Sequence, residues 1–181
     1  MIVLRVLAPE WVGGDADVRS ADLCAHGRVE LRVNGEAPRG WKDLQVTVSA
    51  AALFLMRTLE PGNPVCGEGQ MFPCCGHTMY VVEGERDVLV LGCPTANTID
   101  VRHFGSDVEL DLGVDCVHRV SLAAWTAAVF TFADQVSSYY ASSPPRELPA
   151  DPELRAGYLA FQHEWARRRG RSLGAMPPVM H

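Results

Sequence analysis

Between Cys66 and Cys93 the chain gathers four of its six cysteines and a histidine, reading Cys66-Gly-Glu-Gly-Gln-Met-Phe-Pro-Cys74-Cys75-Gly-His77 and, further on, Leu-Gly-Cys93-Pro94. Thiolate sulfur and imidazole nitrogen are donors that tetrahedral Zn²⁺ takes readily. Cys74, Cys75, His77 and Cys93 are therefore the candidate metal set, with Cys66 as a further candidate, and zinc is the one cofactor the chain suggests. A hairpin would bring them together. If 78–82 pairs with 88–92 across Gly84-Glu85-Arg86, the register centres on Glu85 and sets His77 opposite Cys93.

Two other readings compete for the same residues. Free cysteine is a common small core residue, so the thiols could simply be packed and the imidazole hydrogen-bonded, the loop being structural. Only Cys74 and His77 show the two-residue gap that zinc knuckles use twice over. A thiolate nucleophile at Cys75, activated by His77, is the catalytic reading. The same Cys-x-His pattern recurs at Cys24-Ala25-His26 and Cys116-Val117-His118, which speaks against any one of them being a dedicated dyad. Asp100 and His103, just beyond Cys93, are extra ligands, a polar pair or surface residues at a strand end. Phosphate-cradling, dinucleotide, zinc-protease and serine-hydrolase signatures are missing from the sequence.

Strict alternation in Val29-Glu30-Leu31-Arg32-Val33 predicts a strand with one wet face, and Asn34-Gly35 a turn. Residues 2–7 predict a first strand ended by Pro9, and 44–48 another strand. Ser49 then stands as N-cap of an apolar helix over 50–59 that stops at Pro61-Gly62. Further short strands are expected over 99–104, 108–112 and 116–120. Ser121 caps a long helix over 122–140 whose stripe of Trp125, Val129, Phe132, Val136 and Tyr140 should be buried against an antiparallel sheet. Asp151-Pro152-Glu153 opens a last helix running to Arg169, with Leu154, Tyr158, Phe161 and Trp165 inward.

The two halves, 1–62 and 77–143, echo each other as strands, serine cap and helix. The fold class is therefore α+β: antiparallel sheets with helices packed on one face, two β-meander-plus-helix pseudo-repeats, and a C-terminal helix. Residues 1–171 read as a single domain and 172–181 as a flexible tail.

The chain has 181 residues, 48% hydrophobic and 21% charged, enough for one buried core. Net charge is −6, and the basic run Arg167-Arg168-Arg169-Gly170-Arg171 sits at a helix end where it complements the macrodipole. A nucleic-acid partner is not expected, since phosphate binding needs a concentrated basic face. Lys42 is the only lysine among sixteen basic residues, a bias of GC-rich, bacterial genomes. The apolar stretches are too short for a signal peptide or a membrane span, so a cytoplasmic protein with reduced thiols is expected. These features favour a non-enzymatic, inhibitor-type or immunity-like protein that recognises a protein partner. Its acidic surface would steer a basic one. The alternative is a small cysteine-dependent enzyme, or a redox- or zinc-responsive protein, using the Cys66–Cys93 loop.

Overall fold

Alternation in the second strand shows why the first sheet forms where it does. Val29, Leu31 and Val33 are buried while Arg28 and Arg32 are exposed, and they pair with Val6, Leu4 and Ile2 of the first strand. In the computed structural model, which describes residues 1–12, 21–41, 44–62, 71–74, 78–92 and 96–170, that sheet comprises β1 (Ile2–Glu10), β2 (His26–Val33) and β3 (Gln45–Val46). It is antiparallel and ordered β1-β2-β3. Pro9 does not end β1 as expected. The strand continues to Glu10 through a register shift after Leu7, with Ala8 at φ 48°, and such a bulge accommodates a residue with no N–H to donate.

α1 (Val48–Arg57) follows β3 and is buried at every position, as an almost wholly apolar helix must be. Its N-cap is Thr47, not Ser49, and makes no side-chain capping bond. Thr47 Oγ1 lies 3.3 Å from His26 Nδ1, and Ser49 Oγ, inside the first turn, donates to Ala25 O at 3.5 Å. Both hydroxyls are turned toward β2, which removes them from capping.

Two short ribbons come next. β4 (Phe72–Pro73) pairs with β7 (Ala96–Asn97), and β5 (Thr78–Tyr80) with β6 (Leu89–Leu91). The expected hairpin exists, but its register is Thr78 to Leu91 and Tyr80 to Leu89, one residue away from a pairing centred on Glu85. The turn explains the slip: Glu85 N donates to Val82 O at 3.0 Å and Gly84 takes φ 80°, so turn geometry rather than the charged centre sets the pairing.

The second sheet is a meander of β8 (Asp100–Phe104), β9 (Asp107–Asp111) and β10 (Val117–Ser121), with β9 central. α2 (Leu122–Ser142) starts from Ser121, whose Oγ accepts from Ala124 N at 3.2 Å, as the sequence predicts. Trp125, Val129, Phe132, Val136 and Tyr140 are all buried. α2 packs on β1, on α1 and on the inner side of β9 and β10. The molecule is thus an α+β fold with antiparallel sheets and a C-terminal helix.

That helix, α3 (Pro152–Arg169), is capped by Asp151 Oδ1, which accepts from Glu153 N and Leu154 N, and ends at Gly170 with φ 67°. Tyr158, Phe161 and Trp165 are buried, but Leu154 is 38% exposed because the first turn overhangs the elements beneath it. Gly157 is the closest approach: an added Cβ would overlap the Met79 carbonyl of β5. The arginines at the end of α3 are held internally. Arg167 and Arg168 pair with Asp87, Arg168 also with Glu164 and Glu60, and Arg169 with Asp134. Beneath them Glu164 binds Arg57 of α1 through two contacts of 2.8 and 2.7 Å, and Arg57 also reaches Val88 O. This buried network locks α1, α3 and the β5–β6 ribbon together. The segment read as a tail lies outside the described residues, and no described helix is long and apolar enough to cross a membrane.

Candidate functional site

Of the expected metal set, only Cys74 falls among the described residues, half-buried immediately after β4. Cys66, Cys75, His77 and Cys93 lie outside them.

Cys24 and His26 lie at the entry to β2, and their surroundings are those of core residues. Burial pushes the Cys24 thiol up to about 12, with Asp22 adding to the shift and a hydrogen bond from Ser49 opposing it. Such a thiol stays protonated at neutral pH and is a poor nucleophile. His26 is held below the ordinary histidine range, chiefly by burial, against the pull of Asp22 and Glu10. Tyr140 closes the pocket: its hydroxyl donates to Leu23 O at 2.6 Å and accepts from Ala25 N at 3.3 Å. The cluster therefore fastens the start of β2 to α2.

Asp100 and His103 do not form a pair. Their odd spacing puts them on opposite faces of β8: Asp100 points outward beside Arg102, whereas His103 Nε2 lies 2.8 Å from Thr58 O at the end of α1.

The third Cys-x-His pattern behaves differently. Cys116 and His118, two apart on and beside β10, share the sheet's inner side, and Glu36, from the turn after β2, reaches across to them. Glu36 Oε2 is 3.1 Å from His118 Nε2 and 3.7 Å from Cys116 Sγ, and the sulfur is 3.5 Å from the same imidazole nitrogen. Burial raises the Cys116 thiol, and Glu36 raises it further by charge and by hydrogen bonding, while Arg39 opposes them. A neighbouring carboxylate disfavours the thiolate, so this is not an activated nucleophile. The pattern at 116–118 was legible in the sequence. Glu36, eighty residues away, carries no local signal and is brought in only by the tertiary fold.

The outer side of the second sheet is a lattice of three rows. Asp100, Asp111 and Val117 form one, Arg102, Glu109 and Arg119 the next, and Phe104, Asp107 and Ser121 the last. Arg102 spans Asp100 and Glu109 at 3.4 and 3.2 Å, and Arg119 pairs with Asp107 at 3.2 Å and lies over the Phe104 ring. Two surface clefts elsewhere, of about 500 Å³ between β1 and α2 and about 440 Å³ beside Trp41, have no cysteine or histidine in their linings.

Nothing matches this chain. Comparison with protein-family models, with curated proteins and with solved structures found no similar protein.

Proposed function

We propose that the chain is a non-enzymatic cytoplasmic protein that binds a protein partner through the outer face of the β8-β9-β10 sheet. The observation that carries this reading is the composition of that face. Four carboxylates stand against two guanidiniums, around Phe104 and Val117, which are 44% and 52% exposed. Asp100 directly faces Asp111, and Arg102 Nη2 lies 3.4 and 3.8 Å from the two carboxylates, so one guanidinium serves both and the face keeps an excess of negative charge. An acidic rim around exposed apolar side chains is complementary to a basic surface with an apolar centre. The Cys24 thiol, buried and pushed up to about 12, is no nucleophile, which favours binding over catalysis.

A photo-crosslinking residue placed at Phe104, with Arg155 on α3 as control position, tests the reading in extract of the source cells. A discrete adduct from position 104, lost in the Glu109→Lys/Asp111→Lys variant and absent from position 155, is expected. No adduct from position 104, or equal adducts from both positions, would overturn the proposal.

A further inference from the structure

We propose that Glu36, Cys116 and His118 form a three-ligand site for Zn²⁺, with the fourth position open to water. This site is separate from the outer sheet face and does not depend on the partner-binding reading.

Three donor types that zinc accepts, a carboxylate oxygen, a thiolate sulfur and an imidazole nitrogen, present one atom each to a common point. Bond lengths of about 2.3 Å to sulfur and about 2.1 Å to nitrogen and oxygen require, in a tetrahedron, edges of about 3.6 Å for S–N and S–O and about 3.4 Å for N–O. The observed edges are 3.5, 3.7 and 3.1 Å. Without a metal the same three atoms are within hydrogen-bonding reach of one another, the imidazole and thiol both facing the Glu36 carboxylate. One cation satisfies all three contacts together.

The backbone holds all three ligands in advance. Glu36 exchanges both backbone hydrogen bonds with Val33, at 2.8 and 3.0 Å, across the Asn34-Gly35 turn, where both residues have positive φ. Cys116 donates to Gly113 O at 2.9 Å and accepts from Leu112 N at 2.8 Å. His118 is fixed by its pairing with Leu110. The site would thus clip the turn of the first sheet to the edge strand of the second. Glu36, whose side chain is 64% exposed, leaves the remaining coordination position on the solvent side. Three protein ligands and one water is the arrangement of exchangeable or reactive zinc sites rather than closed structural ones.

Binding is balanced by one proton. The Cys116 S–H bond breaks, the proton passes to buffer, and the sulfur bonds to the metal, while His118 binds through Nε2 and Glu36 through a carboxylate oxygen. Glu36, Arg39, His118 and Asp111 are the charged or titratable groups around the thiol.

The test uses the full chain, freed of metal and titrated with Zn²⁺ against a chromogenic chelator and with Co²⁺ by absorbance. Because Cys66, Cys74, Cys75 and Cys93 also offer thiols, the titration is run in the wild type and in a variant with all four replaced by serine. In the four-serine variant one equivalent of Co²⁺ should bind with a thiolate-to-cobalt charge-transfer band. Adding Cys116→Ser should abolish that band, and Glu36→Gln should weaken Zn²⁺ at least tenfold. Should the four-serine variant not fold, single Cys116→Ser and His118→Gln changes in the wild type each lower the bound cobalt by one equivalent. No cobalt band in a folded four-serine variant, or unchanged stoichiometry and band in the single variants, would overturn the assignment.

Discussion

Replacing Glu164 by Gln is the sharpest probe of how the fold is held. The carboxylate is buried and accepts from Arg57 Nε and Nη2, from Val88 N at 2.8 Å and from Arg168 Nε at 2.7 Å. The side chains of Arg57 and Arg168 are only 1% and 2% exposed, so neither guanidinium can turn to water when the charge is removed. An amide preserves the shape but points an NH₂ at donors and leaves Arg57 without its carboxylate. Breaking a buried pair in this way costs about 3–5 kcal/mol. With about 2–4 °C per kcal/mol for a domain of this size, the midpoint should fall by roughly 6–20 °C. Differential scanning calorimetry and urea titration read this directly. Exposed Arg102, by contrast, should cost about 0–1 kcal/mol when replaced by Ala. Joint Arg57→Met/Glu164→Leu replacement should recover only part of the loss, because it removes the Arg57 charge but still takes the carboxylate acceptor from Arg168 Nε and Val88 N. If Glu164→Gln shifts the midpoint no more than Arg102→Ala, the network does not hold the helices and ribbon together.

Further outcomes follow from single residues. Gly157→Ala should destabilise by about 3 kcal/mol by denaturant titration, because its Cβ overlaps the Met79 carbonyl and backbone must move; a neutral result would mean that α3 does not lie this close to β5. For Asp87, burial favours the neutral form, but Arg168, Arg57 and Arg167 prevail and hold its carboxyl below the ordinary value. The unfolded chain therefore binds more protons between the two values. The stabilisation is complete above about pH 4 and is lost as pH falls through the folded value, so Asp87→Asn should flatten the acid limb of a stability–pH profile. Cys24, with its thiol pushed up to about 12, should resist iodoacetamide in the native protein at pH 8 and react once urea unfolds it, as peptide mass spectrometry will show.

The parts of this fold that were legible in the sequence are those specified locally. The stripe of α2, its Ser121 cap, the Asp151-Pro152 start of α3 and the alternation of β2 each occupy a few neighbouring positions, and the structure has them where those patterns put them. The misses arise where a distant group intervenes. Ser49 has cap chemistry, yet Ala25 O, just before β2, claims its hydroxyl. Pro9 should stop a strand, but a bulge carries β1 past it. Leu154 fits the helical stripe and overhangs the core, while buried Glu164, absent from an apolar count, is the helix's strongest anchor. At the candidate zinc site the pair Cys116 and His118 could be read from period-two spacing. Glu36 could not, because only the packing of one sheet beside the other places it there.

The outer sheet face is tested most directly by an equilibrium isotherm between the purified partner captured at Phe104 and the wild-type chain or its Glu109→Lys variant, at low and high salt. Binding to the wild type should weaken with salt, and the charge reversal should cost at least about tenfold at low salt, roughly 1.4 kcal/mol, with the difference shrinking as salt rises. Equal affinities at both ionic strengths would contradict the account.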